Sequence, residues 1–307
     1  MKSNTHIHIR NTTSDRVFVA VNYTLLTLLF LVVLYPIVYV VSSSFSDAKA
    51  VLAGRVVLFP VKPSLEGYRA VFRYRDVWVG YGNTVFYTVV GTLVNLTLTM
   101  MAAYPLSRRD FVGRDLIMFI FTFTMFFSGG IIPTYLLVKN LGLLNTRWAM
   151  ILPVAMSVWN VIITRTYLQA TIPSELYDSG RMDGASNTRM LVSIVLPLSK
   201  PVIAVIALFY AVFHWNAFFN ALIYLRSKTL YPLQLVLQQI LIENSPVQMT
   251  MMQNLSAQEL QQMTEREYLQ ALLQYALIVV SSLPVLVVYP FLQKYFVQGV
   301  MIGAIKG

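Results

Sequence analysis

The chain contains no cysteine, and only 12% of its 307 residues are charged. The first absence excludes disulfides and thiolate metal sites. The second excludes more. A soluble domain carries about a quarter charged residues, and this chain has too few to cover a soluble surface. Histidine is scarce as well. His6 and His8 sit in the N-terminal tail and His214 stands alone in an apolar run, so the sequence offers no metal-ligand cluster. No G-x-x-x-x-G-K-[ST] pattern occurs, nor H-E-x-x-H or G-x-S-x-G, so the chain has no phosphate-cradling loop or catalytic signature of those kinds. Acidic residues are missing from the middle of every long apolar run. That removes the intramembrane carboxylate on which a proton- or sodium-coupled carrier usually depends.

What is present is hydrophobic: 57% of residues are apolar and the mean hydropathy is +0.63. These values describe an integral membrane protein. An apolar run of about twenty residues crosses a bilayer, and the runs near 17–43, 79–105, 115–138, 147–169, 198–224 and 270–293 qualify. Irregular backbone is not tolerated against lipid, so the runs are expected to be helices. The predicted fold is all-α and polytopic, with six transmembrane helices in one domain over 17–293. Tails at 1–16 and 294–307 flank it. The first run has a basic flank like a signal peptide, but it is too long for one. Gly129, Gly130 and Pro133 predict a break or kink in the third helix.

The connections are unequal. Residues 44–78 and 225–268 make long polar loops, the second with acidic residues Glu259, Glu265 and Glu267, and 106–114 makes a short basic turn. Arg108, Arg109 and Arg114 in that turn lean the orientation toward a cytoplasmic N-terminus. The net charge of +10 is scattered at loop ends and forms no nucleic-acid-binding face; it suits anionic lipid headgroups. Arg165 can reach the interface from the end of the fourth run. His214 reads most simply as an imidazole hydrogen-bonded between helices.

The loop at 170–197 breaks the apolar pattern. Ser174 can cap a short helix after Pro173, and Glu175 suits its first turn. Leu176, Ser179 and Gly180 then share one side, with two small residues that let another surface approach. Asp183-Gly184 signals a sharp turn. A second short helix over 185–193 leads to Pro197 and Pro201.

This stretch resembles the EAA loop of permease subunits in ABC importers. That pattern runs Glu-Ala-Ala, three residues, Gly, nine residues, Ile, one residue, Leu-Pro. Here Asp178-Ser179-Gly180 takes the first place, followed at the same spacings by Gly184, Ile194 and Leu196-Pro197. The head is DSG rather than EAA. The flanking IPSELYDSGRMDGAS and IVLPLSKP are similar to carbohydrate-type permeases. FSGGIIPTYLLVKNLGLLNTRWA at 127–149 and VMIGAIKG at 300–307 resemble a branch importing complex oligosaccharides, including alginate- and pectin-derived sugars.

The resemblance implies a maltose-permease-like architecture and a non-enzymatic transmembrane subunit of an ATP-driven oligosaccharide importer in the cytoplasmic membrane of a bacterium. Its 175–197 loop is a coupling helix that sits in a groove of a separate ATPase dimer. ATP and Mg are bound there, and no cofactor is bound by this chain. Glu175, Leu176, Asp178, Ser179, Gly180, Asp183, Gly184, Ala185, Ile194, Leu196 and Pro197 are the ATPase-contact candidates. A second, different permease and an extracytoplasmic sugar-binding protein complete the implied assembly. Both termini and 170–197 are then cytoplasmic, and 44–78 and 225–268 are external, with 225–268 reaching toward the binding protein's sugar. Sugars are held by hydrogen bonds and aromatic faces, which makes Tyr135, Trp159, Asn160 and Asn216 the candidates for the translocation path. An ion-coupled secondary carrier is the alternative reading, and a membrane enzyme or scaffold a further one.

Overall fold

The computed structural model describes residues 12–242, 268, 270, 271, 273–288 and 290. No β-strand occurs among them. In chain order the helices are α1 (Thr13–Ser44), α2 (Ala48–Leu52), α3 (Glu66–Arg73), α4 (Arg75–Ser107), α5 (Arg114–Phe126) and α6 (Ile131–Asn140). They continue as α7 (Val158–Thr171), α8 (Ser174–Met182), α9 (Asn187–Met190), α10 (Leu196–Leu198), α11 (Lys200–Trp215), α12 (Phe219–Tyr224), α13 (Leu233–Ile242) and α14 (Leu273–Val288). The described residues fall into two compact units, divided between Ala70 and Val71 and again between Val279 and Val280.

In the first unit, α1 opens with a capping box. Thr12 Oγ1 accepts from the Asp15 amide, and the Asp15 carboxylate accepts from the Thr12 amide at 2.8 Å. The helix is apolar all round, and its most hydrophobic stretch buries nothing within the chain. A helix of that kind is satisfied by lipid. At its end, Ser42, Ser44 and Ser46 tie the following segment down. Ser42 Oγ donates to the Leu58 carbonyl at 2.6 Å, and Ser44 Oγ lies 2.8 Å from Tyr68 Oη. The 44–78 connection is thus not the plain polar loop the sequence suggests. It contains α2 and α3, and Ala50, Val51 and Val56 form a small core.

The second unit is organised by α4. Asn83, Tyr87, Gly91, Asn95, Thr99 and Ala103 recur every four residues, so each sits about 40° around from the last and the series winds about halfway around the helix. All six are buried. The polar rungs take different partners. Asn83 and Tyr87 bond the carbonyls of 229–231. Asn95 Oδ1 lies 2.8 Å from His214 Nε2, and Asn95 Nδ2 donates to the Val154 carbonyl at 2.6 Å. Thr99 Oγ1 lies 2.8 Å from Tyr210 Oη, which also accepts from the Ser157 amide at 3.0 Å. His214 therefore pins helix to helix, as its position alone suggests.

Two of the expected spans are broken, and a third bend falls at the entry to the fifth. α5 and α6 meet at 111°, the segments Arg147–Val154 and Val158–Thr171 at 52°, and Asn187–Leu198 and Lys200–Trp215 at 84°. The first break falls at the expected glycines, where Gly130 has φ 82° and Pro133 lacks the amide that would continue the ladder. The second is a correction to the continuous helix read from hydropathy; the third falls at Ser199, where the fifth run begins and Pro197 and Pro201 mark its entry. At the second, the freed Val154 carbonyl and Ser157 amide are the groups that Asn95 and Tyr210 satisfy. That is the condition for broken backbone at membrane depth. At the third, a π-helical stretch at Leu191–Val195 precedes Ser199, and Pro201 follows it. α1 and α4 are each long and apolar enough to cross a membrane alone, and α14 is a shorter apolar helix.

Part of the 225–268 connection is also not a polar loop. α13 buries Leu233, Leu235, Val236 and Ile240, and the Leu233 amide donates to Thr84 Oγ1 at 2.8 Å. The expectations placed on 1–11, on 243–267 with its three glutamates, and on the tail at 294–307 lie outside the described residues.

Candidate functional site

The charged loop at 170–197 folds as two short helices at a sharp angle of chain. α8 starts at Ser174, with Pro173 in the capping place and no side-chain cap; the expected Ser174 cap is not made. Glu175 lies in the first turn. The helix ends at Met182, and Asp183 and Gly184 turn the chain. Gly184 has φ 71°, a conformation that favours glycine. Its neighbour Ala185 bonds back, amide to the Gly180 carbonyl, at 2.9 Å. Ser186, which the expected 185–193 helix would include, instead caps the shorter α9, accepting from the Arg189 amide at 3.2 Å.

The two sides of the 174–197 loop differ sharply. Leu176, Tyr177, Ala185, Ile194 and Leu196 pack against the buried cluster of Met100, Ala103, Tyr104, Leu168 and Met190. Gly180 is buried on the same side. A Cβ there would stand 3.0 Å from Met190 Sδ and closer to its Cε. Its small size is thus used within the chain, which corrects the expectation that Leu176 and Gly180 face an approaching surface. Glu175, Asp178, Ser179, Asp183, Gly184 and Pro197 are exposed. So is Met182, at 88%. An apolar side chain so fully presented at the tip of a helix is a feature the sequence motif does not contain.

A polar clasp holds α8 to the turn between α4 and α5. The Arg108 guanidinium grips Asp110 through both oxygens, at 2.9 and 3.0 Å, and donates to Tyr104 Oη at 3.0 Å. It also stacks 4.6 Å from the Tyr177 ring. Arg181 of α8 pairs with the same Asp110 carboxylate. The Arg108 hydrogen bonds hold the Asp110 carboxyl well below the usual carboxylate range, and the Asp110 bond raises Arg108 above its ordinary value. Burial pushes the Tyr177 phenol up, so it stays neutral. Arg165 adds a strap, donating from Nε to the Leu106 carbonyl at 2.9 Å. Beside the clasp lies a cleft of about 660 Å³ lined by Arg109, Arg114, Asp178 and Arg181 among others. Asp110 and Arg181 carry no motif signal; the run of arginines before Asp110 was readable only as an orientation cue.

The four path candidates are engaged separately. The Tyr135 ring lies parallel to Tyr224, centroids 6.4 Å apart, within a cluster with Val138 and Ala149. Trp159 is exposed on the first turn of α7 while its neighbour Asn160 is buried. Asn216 ends α11, its amide donating to the Val212 carbonyl at 2.9 Å. Among the described residues no group of histidine and acidic side chains could hold a metal ion.

A family model described as the binding-protein-dependent transport system inner membrane component matches residues 95–302. The polygalacturonan/rhamnogalacturonan transport system permease protein YtcP of Bacillus subtilis (strain 168) is 41% identical over 293 residues, covering 95% of this chain and 99% of that one. Protein LplC of the same organism is 41% identical over 299 residues, covering 97% and 98%. A solved structure described as a bacterial ABC transporter involved in the import of the acidic polysaccharide alginate superposes with a TM-score of 0.83 at 36% identity. That match covers 94% of this chain and 99% of the other.

Proposed function

The chain belongs to the family of binding-protein-dependent transport system inner membrane components, and from that premise we propose that it carries an oligosaccharide bearing uronate carboxylates into a bacterial cell. It is a permease component of an ABC sugar importer, and its all-helical fold is that of an ABC transporter permease. The observation that carries the substrate reading is the 41% identity along 95% of the chain to a polygalacturonan/rhamnogalacturonan permease. The likeness to an alginate importer supports it.

In this reading α8 and the turn after it seat in a groove of a separate ATPase subunit, which binds ATP and Mg. The exposed side (Glu175, Asp178, Ser179, Met182, Asp183 and Gly184) faces the groove. The inward side (Leu176, Gly180, Ala185, Ile194 and Leu196) anchors the loop to α4 and α7. Closing the ATPase pair pulls the loop, and the permease pair rocks between two packings. Reversing a 1:99 population takes about 5.5 kcal/mol of differential binding. The loop and both termini lie on the cytoplasmic side, a second permease completes the pore, and a sugar-binding protein delivers cargo to the outer side.

The test is ATP-dependent uptake of labelled oligogalacturonides in proteoliposomes holding the co-purified complex, with and without Gly184→Leu. A branched side chain at a positive φ disrupts the turn while the spans stay inserted. Lost uptake by an assembled complex supports the coupling role. Unchanged uptake removes it. Wild-type uptake of neutral oligosaccharides alone removes the uronate reading.

A further inference from the structure

At the end of α4 remote from the coupling loop, three segments are knotted by hydrogen bonds. Asn145, at φ 58°, donates its amide to the Tyr224 carbonyl at 2.8 Å. Its Oδ1 accepts from the amides of Arg226 and Ser227 at 3.0 and 2.9 Å. Asn83 Nδ2 donates to the carbonyls of Thr229 and Tyr231, at 2.8 and 3.1 Å, and Tyr87 Oη to that of Leu230 at 2.7 Å. Arg147 closes the knot: its Nη2 donates to Asn83 Oδ1 at 3.4 Å, and its guanidinium lies 4.6 Å from the centre of the Phe86 ring.

The knot presents Arg147, Arg226 and Lys228, all exposed. None is in an ion pair: among the described residues the ion pairs all involve Arg108, Arg114, Arg165 or Arg181, at the coupling end. The nearest acid along α4, Asp76, stands two helical turns before Asn83. The hydrogen bonds of Asn145 and Asn83 bring together the segments that carry the three cations. Arg147 sits over the Phe86 ring, and a guanidinium suits a planar carboxylate.

We propose that Arg147, Arg226 and Lys228 form a carboxylate-binding site that receives an anionic oligosaccharide at the outer end of the permease. This rests on the uronate reading above. A uronate chain offers a carboxylate on successive rings, so a cluster of three cations engages more than one at once, whereas a neutral sugar gains nothing from it.

The test uses the full complex in proteoliposomes, supplied with saturating binding protein loaded either with a galacturonate trisaccharide or with its methyl ester. The variant is Arg147→Gln with Arg226→Gln and Lys228→Gln, which leaves Asn83, Tyr87 and Asn145 in place and Arg226's backbone bond intact. Uptake of the charged sugar is expected to fall by about tenfold, a loss on the order of 1.4 kcal/mol, and that of the ester by less than about twofold. The wild type's preference for the charged sugar should also shrink as salt rises. Equal loss for both ligands means that the knot docks the binding protein or only shapes the fold, and overturns the proposal. No loss for either overturns it too. A deficit present only in vesicles containing anionic lipid assigns the site to a lipid phosphate instead. Failure of the wild type to carry the charged sugar removes the uronate reading together with this site, whereas wild-type transport with an unaffected variant removes the site alone.

Discussion

The imidazole of His214 fills the space that a side chain at residue 91 would need: a Cβ on Gly91 would stand 2.6 Å from His214 Cε1. The ring is buried and hydrogen-bonded to Asn95, so it has nowhere to yield. Gly91→Ala is expected to destabilise the protein by about 1–3 kcal/mol through overpacking. His214→Ala alone leaves a cavity, but in the Gly91→Ala background it removes the clash. A thermal-shift cycle on the four proteins should therefore be strongly non-additive. Additive shifts would show that the two residues do not compete for the same space.

Asn95 serves two partners, His214 and the carbonyl freed at the break before α7. Asn95→Leu orphans both. The expected loss is about 1–2 kcal/mol, with faster amide exchange around residues 155–157 than elsewhere in α7. Uniform exchange along α7 would mean that the break is held by something other than this amide.

Asp110 joins Arg108 to Arg181, so Asp110→Asn should loosen α8 from the turn after α4. We expect uptake to fall about threefold to tenfold, discounted because the carboxylate is half exposed, while basal ATP hydrolysis persists. Because the folded-state carboxyl titrates below its unfolded value, its contribution is complete above the usual carboxylate pKa of about 3.9 and is lost only as pH falls below that. The ratio of variant to wild-type uptake should therefore stay flat from about pH 5.5 to 8. A ratio that changes across that range would place another titrating group in the clasp.

Met182 presents an apolar side chain to solvent at the tip of α8. Seated in a groove it would contribute about 1.5 kcal/mol, so Met182→Gln should weaken capture of the ATPase subunit by about tenfold. Titrating detergent-purified permease with the ATPase measures this directly. Affinity unchanged within error would leave the tip outside the contact.

Much of this architecture was legible because its signals are local. Lipid demands apolar runs about twenty residues long, and the turn at Asp183-Gly184 needs the glycine that stands there. Gly129, Gly130 and Pro133 announced their break in the same way. The break at 155–157 has only a weak local sign, Pro153 two residues before it. It depends on Asn95 and Tyr210, dozens of residues away, to receive the freed backbone groups. The same holds for Gly180. Its smallness reads as an invitation to another surface, yet Met190, ten residues on, is what fills the space. Spacing revealed that α8 exists, but packing decided which of its faces is presented.

α4 runs as one helix between the knot at Asn83 and the clasp at Arg108. Asn83 and Arg108 are separated by 25 residues of one helix and its cap, about 37 Å of rise. Two sites on a rigid rod need no relay of side chains to sense each other. If α4 pivots by about ten degrees with the clasp as its fulcrum, the cation-bearing end sweeps roughly 6 Å, the width of a sugar ring. The same lever that follows the ATPase would then carry its own anion site into or out of register with the cargo.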